Sequence, residues 1–309
     1  LPEDSKGADV YHTRNVKLIS FVRSVDIPAI CRPDTFHDLD TARKALPIDD
    51  QWAINKLLSD DQGAKVARAI QIGEATGISD GSFKNKRGTA ACIIEANKDT
   101  SSRIYAFHDT PGRSPDQSPY RSELSGISMM LAVIKCVLMC HKVTSGSIAL
   151  GLDGEKAMTQ ASGRFPLFPT QRSFDLLVDI RTKIEQLPIK VKCFWVEGHQ
   201  LQRHGQQSYM GEINDKCDIL AKMYWRMKEG EICKASQLFH DSPWTFSLGG
   251  TIYSNLNKQE VYDYTYGKTD SVPYWQDNRH SFPTEQEQTI SWHSLTKAFK
   301  TCLLYTSPS

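Results

Sequence analysis

Three short runs rich in small, branched and apolar residues follow one another at 75–80, 89–95 and 103–108. They are separated by turn-forming residues, most clearly Lys84-Asn85-Lys86-Arg87-Gly88, and predict an antiparallel meander of strands. After a Pro- and Ser-rich loop the period changes. Ser118-Pro119 supplies an N-cap and a first-turn proline, and Leu124, Ile127, Leu131, Ile134 and Leu138 recur at three- and four-residue spacing. That spacing predicts a helix, and Ser122, Ser125 and Gly126 keep its start slim enough to lie close on a sheet.

A short apolar strand follows over 145–153, then one or two helical turns at 155–161 and a loop at 165–169. Leu176, Leu177, Ile180 and Ile184 share one face of a helix over 174–187. Ile189, Val191, Cys193 and Trp195 alternate with Lys190 and Lys192, the mark of a half-exposed strand. A polar loop at 200–208 leads to a last amphipathic helix bearing Ile213, Cys217, Leu220, Ala221 and Tyr224. Crossovers in this order place the fourth and fifth strands parallel to the first. The expected fold is α/β, a mixed five-stranded sheet of three antiparallel and then two parallel strands, covered by helices.

The flanks are less regular. A strand or short helix is expected over 16–25, punctuated by Ile27-Pro28 and Arg32-Pro33-Asp34, and helical pieces over 49–70. Residues 1–70 read as a connector or the end of an upstream domain, 71–228 as the main domain, and 229–301 as a polar and aromatic region of unassigned role. The last eight residues, 302–309, resemble the in-frame translation of a sequencing adaptor and are set apart from the fold. The chain starts Leu1-Pro2-Glu3-Asp4 without an initiator Met, which reads as a fragment of a longer polypeptide.

Bulk composition narrows the function little. The 309 residues carry a net charge of +1, so nucleic-acid binding would rest on local basic patches. No uninterrupted apolar run long enough to span a bilayer is read, and no membrane partner is expected. The eight cysteines form no C-x-x-C pair and read as buried thiols of a reducing, intracellular setting, cytoplasm or nucleus.

The chemistry lies in acids. Asp80 and Asp153 each end a predicted strand before a glycine, and in neighbouring parallel strands such residues lie side by side at the carboxyl edge. Glu123 would enter from the covering helix and Asp218 from the last one. Each has a plainer alternative: Asp80-Gly81 is a turn signal, and Glu123 near a helix start suits the dipole. Four converging carboxylates would repel one another and call for cations, and oxygen ligands without a Cys/His set favour Mg²⁺ or Mn²⁺ over zinc.

Five motifs in this order resemble the type 1 ribonuclease H family over roughly residues 72–226. They are Ser79-Asp80-Gly81-Ser82, Tyr120-Arg121-Ser122-Glu123-Leu124, Leu152-Asp153-Gly154, Val196-Glu197-Gly198-His199, and Asn214-Asp215-Lys216-Cys217-Asp218-Ile219-Leu220-Ala221. The likeness is nearer to the ribonuclease H segments that follow retroelement reverse transcriptases. There it extends to Phe174-Asp175-Leu176-Leu177, Pro243-Trp244, Gly249-Gly250 and Tyr274-Trp275.

The resemblance implies a ribonuclease H-like fold and cleavage of the RNA strand of RNA–DNA hybrids by two Mg²⁺ ions. A reverse transcriptase in the same retrotransposon polyprotein would be the partner. Asp80 would serve both ions, with Glu123, Asp153 and Asp218 completing the sites. His199 would move protons or help release product, while Ser82 and Asn214 would meet substrate, Asn214 at a ribose hydroxyl. The chain departs from the compact bacterial pattern in a longer loop between His199 and Asp218. It also lacks a strongly basic protrusion after Asp153, with only Arg164 and Arg172 there. The competing expectation is a catalytically degenerate module that binds hybrid or protein without cutting.

Overall fold

In this computed structural model, residues 36, 38–54, 57–163 and 165–229 are described, with short stretches between 11 and 18 and between 246 and 261. The expectations for 19–35, Pro243-Trp244, Gly249-Gly250, 262–301 (with Tyr274-Trp275) and 302–309 lie outside them. The chain divides into two units, and the sheet and helices below belong to the one formed by 20–246 and 252–256. The other contains a small antiparallel pair, Tyr11–Thr13 with Val16–Leu18.

Two tight turns build the meander. Strand β2 (Ala75–Lys84) and strand β3 (Arg87–Ala96) are joined by Asn85 and Lys86, and β3 and strand β4 (Asp99–Asp109) by Asn97 and Lys98. All four linking residues have positive φ, between 41° and 61°. Two-residue loops of this hand match the right-handed twist of the strands they join. Strands β5 (Ser147–Leu152) and β6 (Lys190–Trp195) then add in parallel to β2.

With Leu57–Ser59 as β1, the sheet has six strands, one more than expected, in the order β1-β4-β3-β2-β5-β6. The extra strand, β1 (Leu57–Ser59), pairs antiparallel with the edge of β4, Leu57 opposite Ala106. Leu57 and Leu58 fall inside the stretch read as helical. The turn after them dictates otherwise: Ser59 Oγ and Asp61 Oδ1 each accept the Gly63 N–H at 3.0 Å, and Gly63 takes φ +76°. Helix α2 (Ala64–Ile72) starts only there.

The central strand β3 is buried at every position, because helices cover both faces. Ala90, Cys92 and Ile94 face helix α3 (Pro119–Cys140), and Ala91 and Ile93 pack with residues of helix α7 (Tyr209–Met227). Helices α4 (Glu155–Ala161) and α5 (Phe174–Gln186) pack against α3 in the larger core. By length and hydropathy α3 could cross a membrane, but most of its surface is buried between the sheet and its neighbours. Ser118 caps it by accepting the Arg121 N–H at 3.1 Å. Its slim side works as expected: a Cβ on Gly126 would lie 2.8 Å from Ser79 Cβ.

Residues 39–72 share this core. Leu39, Ala42, Trp52, Ile54, Val66 and Ile70 are buried in the same cluster as α3. A buried lysine strengthens the join: Lys183 Nζ on α5 reaches Asp50 Oδ1 at 2.9 Å, Asp179 Oδ2 at 2.7 Å and Ser128 Oγ at 2.9 Å. Residues 39–70 thus supply an edge strand and part of the hydrophobic interior.

Candidate metal centre at the sheet edge

The register explains why the two aspartates meet. In the parallel ladder of β2 with β5, Ile78 stands opposite Gly151. Two further residues along each strand bring Asp80 and Asp153 to the same height. Asp80 is not at a strand end, as the sequence suggested; β2 runs on to Lys84, and Asp80 pairs with Ala91 in mid-ladder. It lies just beyond the last parallel rung, so the carboxyl-edge position survives although the Asp-Gly turn does not.

Glu123 arrives from the second turn of α3. Gly81 makes this possible, since a Cβ there would stand 2.5 Å from the Glu123 N and the Ser122 carbonyl carbon. Ligand oxygens of Asp80, Glu123 and Asp153 lie within 4.8 Å of one another. Asp80 is 5% exposed and its Oδ1 accepts the Gly81 N–H at 2.7 Å. Burial, and then the charges of Asp153 and Asp218, push its carboxyl well above the usual range. Burial and the charges of Asp80 and Asp153 do the same to Glu123. Asp153 is raised mainly by burial, against a hydrogen bond from Asn214 and the charge of His199.

Asn214 is buried on α7, its side chain favours the charged form of Asp153, and its Oδ1 has no hydrogen-bond partner among the described residues. Its near-complete burial makes it a holder of Asp153 in this conformation. Asp218, one helical turn on, is close enough to raise Asp80 but lies outside the three-carboxylate group, with Lys222 Nζ 2.6 Å from its Oδ2. His199 is exposed in the left-handed region, φ 55°, at the start of the short helix α6 (Gln200–His204), where a polar loop was expected. Its charge is felt at Asp153. Ser82 is half-buried, two residues beyond Asp80 on the same strand.

Three contributors had been given no role at the site by the sequence reading. Gly198 is one: a Cβ there would lie 2.4 Å from Asp153 Oδ2. Trp195, half exposed, donates its indole N–H to the Asp153 carbonyl at 2.9 Å. Lys222 is the third, and its four-residue spacing from Asp218 on a helix was the one legible signal.

The donor set suits a hard divalent cation. Three carboxylates converge without a thiolate among them, and Glu123 Oε2 is buried with no hydrogen-bond partner among the described residues. A buried carboxylate oxygen left without a donor is costly unless a proton or cation meets it.

Fold and site together define a class: a mixed α/β sheet, helix-covered on both faces, with a carboxylate cluster where its parallel strands end. No family model matches the chain, and no curated protein matches it. Solved structures similar to it include ribonuclease H domains. The N-terminal RNase H domain of a Mycobacterium tuberculosis protein is 14% identical and aligns over 50% of this chain and 94% of its own, with a TM-score of 0.33. RNase H1 from the halophilic archaeon Halobacterium salinarum is 12% identical over 50% and 99%, TM-score 0.33. LC11-RNase H1, isolated from compost by a metagenomic approach, is 12% identical over 50% and 98%, TM-score 0.36.

Proposed function

We propose that this chain is a divalent-metal-dependent endonuclease that cleaves the RNA strand of RNA–DNA hybrids, carried in a retrotransposon polyprotein beside a reverse transcriptase. The observation that carries the nuclease reading is the meeting of Asp80, Glu123 and Asp153 within 4.8 Å, with Glu123 Oε2 buried and without a hydrogen-bond partner among the described residues. The polyprotein context rests on the sequence motifs. An intracellular setting is supported by the described cysteines, such as Cys92, Cys136 and Cys217, which are free thiols.

Bound Mg²⁺, or Mn²⁺ in its place, supplies a Lewis acid that acidifies a water and stabilises charge on the phosphate and the leaving oxygen. Asp80 would serve both ions, with Glu123, Asp153 and Asp218 completing the set. Lys222 engages one Asp218 oxygen and leaves the other for an ion. Gly198 leaves room for the Asp153 carboxylate, and buried Asn214 favours its charged form. His199, exposed beside the cluster, moves a proton between the reacting phosphate and solvent. Ser82 stands on the strand where a substrate backbone would pass, and a ribose contact from Asn214 would require its buried amide to be uncovered.

The competing reading, a binding module that has lost catalysis, draws on the pairing of Asp218 with Lys222. The two part in a simple assay. The full chain is incubated with end-labelled RNA–DNA hybrid, duplex RNA and duplex DNA, with Mg²⁺ or with chelator. Cutting of the RNA strand of the hybrid alone, and only with Mg²⁺, is the expected result. Retention of the hybrid without cutting would overturn the nuclease in favour of the binding module.

A further inference from the structure

Glu123 depends on the first turns of α3, and these are held by a buried arginine. Arg121, two residues earlier, is fully buried. Its guanidinium donates to both carboxylate oxygens of Asp175, at 2.8 and 2.7 Å, and its Nε donates to the Pro111 carbonyl at 2.6 Å. A bidentate pair of this kind fixes direction as well as distance. Gly112 lies flat against it, since a Cβ there would stand 2.7 Å from the guanidinium.

Asp175 is in turn fixed from outside the sheet domain's motifs. It lies in the first turn of α5, whose backbone N–H groups have no partner within the helix. The N-cap residue Ser173 sits at φ 57° and offers no side-chain cap. The Ser254 carbonyl caps instead, accepting the Asp175 N–H at 3.1 Å. Two more contacts hold that segment on the loop before α3. Ser254 Oγ donates to Asp116 Oδ1 at 3.0 Å, and the Arg113 guanidinium stacks 3.7 Å from the Tyr253 ring centre. Tyr253 lies well past Asp218 and past the end of α7.

We infer that residues 253–255 form a strap that positions Glu123 for its cation, acting through Asp175 and Arg121. The inference rests on the metal reading above. These residues touch neither ion nor substrate; they are positioning residues. Without the strap, α5 loses its cap, the Asp175 carboxylate loosens, and the Arg121 anchor of α3 with it. The metal-nuclease unit then extends to at least residue 255 rather than ending at 228.

The test uses the full chain and Mg²⁺ alone, reading a Mg²⁺ midpoint, here the dissociation constant fitted to the logarithmic rise of melting temperature with Mg²⁺ concentration. Tyr253→Ala/Ser254→Ala removes the Arg113 and Asp116 contacts that hold the Ser254 carbonyl at Asp175, and the midpoint is expected to rise about tenfold, the lower end of the range for partners outside the ligand set. Tyr253→Phe keeps the ring under Arg113 and should return the wild-type midpoint. Val66→Ala, in a fully buried position of α2 outside these contacts, lowers melting without moving the midpoint. An unchanged midpoint in the double variant, or an equal rise in Val66→Ala, would overturn the strap. No Mg²⁺ response in the wild type would instead overturn the metal reading itself.

Discussion

Gly81 is where the site is most tightly built, and Gly81→Ala tests that directly. The new Cβ would stand 2.5 Å from the Glu123 N and the Ser122 carbonyl carbon, and 2.8 Å from Ser122 Cβ. Comfortable separations are about 3.5–4.0 Å, so β2 and the start of α3 have to part by roughly 1 Å. Both obstacles nearest the methyl are backbone, which no rotamer change relieves. Forced overpacking of this kind typically costs about 1–3 kcal/mol. In a domain of this size that is a fall of roughly 2–12 °C in melting temperature. Glu123 moves with the helix, and a displacement of about 1 Å at a reacting centre costs on the order of 10²-fold in rate. Gly154→Ala is the contrast: its Cβ meets Glu123 Cγ at 3.2 Å and Ala157 Cβ at 3.5 Å, contacts that side-chain movement relieves. Thermal melting with and without Mg²⁺, with single-turnover hybrid cleavage, reads both effects. A Gly81→Ala protein with wild-type melting and wild-type cleavage would refute the close approach of strand and helix as the source of Glu123's position.

Two further outcomes concern protons. Asp80, Glu123 and Asp153 all bind protons more readily folded than unfolded, where their ordinary values are 3.8 and 4.5. Each group therefore destabilises the metal-free fold increasingly as pH rises from the ordinary carboxylate range through its raised value, and the penalty fades on acidification. Without metal, Asp80→Asn should melt above wild type at neutral pH, and the gap should close as pH falls towards the ordinary carboxylate range; a gap that widens would contradict the raised carboxyls. His199→Ala should slow cleavage by roughly 10²-fold with melting essentially unchanged, because the side chain is exposed. Full activity with lowered melting would leave His199 a structural residue.

How much of this was legible depended on whether the cause was local. The capped start of α3, the period of Leu124 to Leu138 and the alternation over β6 are short-range patterns, and the elements formed where those patterns lie. The order of strands and helices then placed Asp80, Glu123 and Asp153 together without any side-chain detail. Edge strand β1 was invisible because three residues carry no period, and its two leucines fit a helix equally well. The continuation of β2 through Asp80-Gly81 was hidden by a dipeptide that reads as a turn. Here glycine serves the close approach of α3 instead. The Arg121–Asp175 pair joins residues 54 apart, and the Ser254 cap of α5 is a backbone contact. Neither leaves a mark in local sequence.

The central claim is that the carboxylate cluster holds the ions that cut RNA, and Asp80→Asn addresses it most directly. The substituted amide would keep the shape of the side chain and one acceptor oxygen while removing the charge common to both ions. Full-length wild type and variant are compared in single-turnover cleavage of an end-labelled RNA–DNA hybrid at saturating Mg²⁺, with melting recorded to show that the variant is folded. The expected result is a folded Asp80→Asn protein whose cleavage is abolished beside an active wild type. Cleavage by the variant at a rate near the wild type's would contradict the assignment of these four carboxylates.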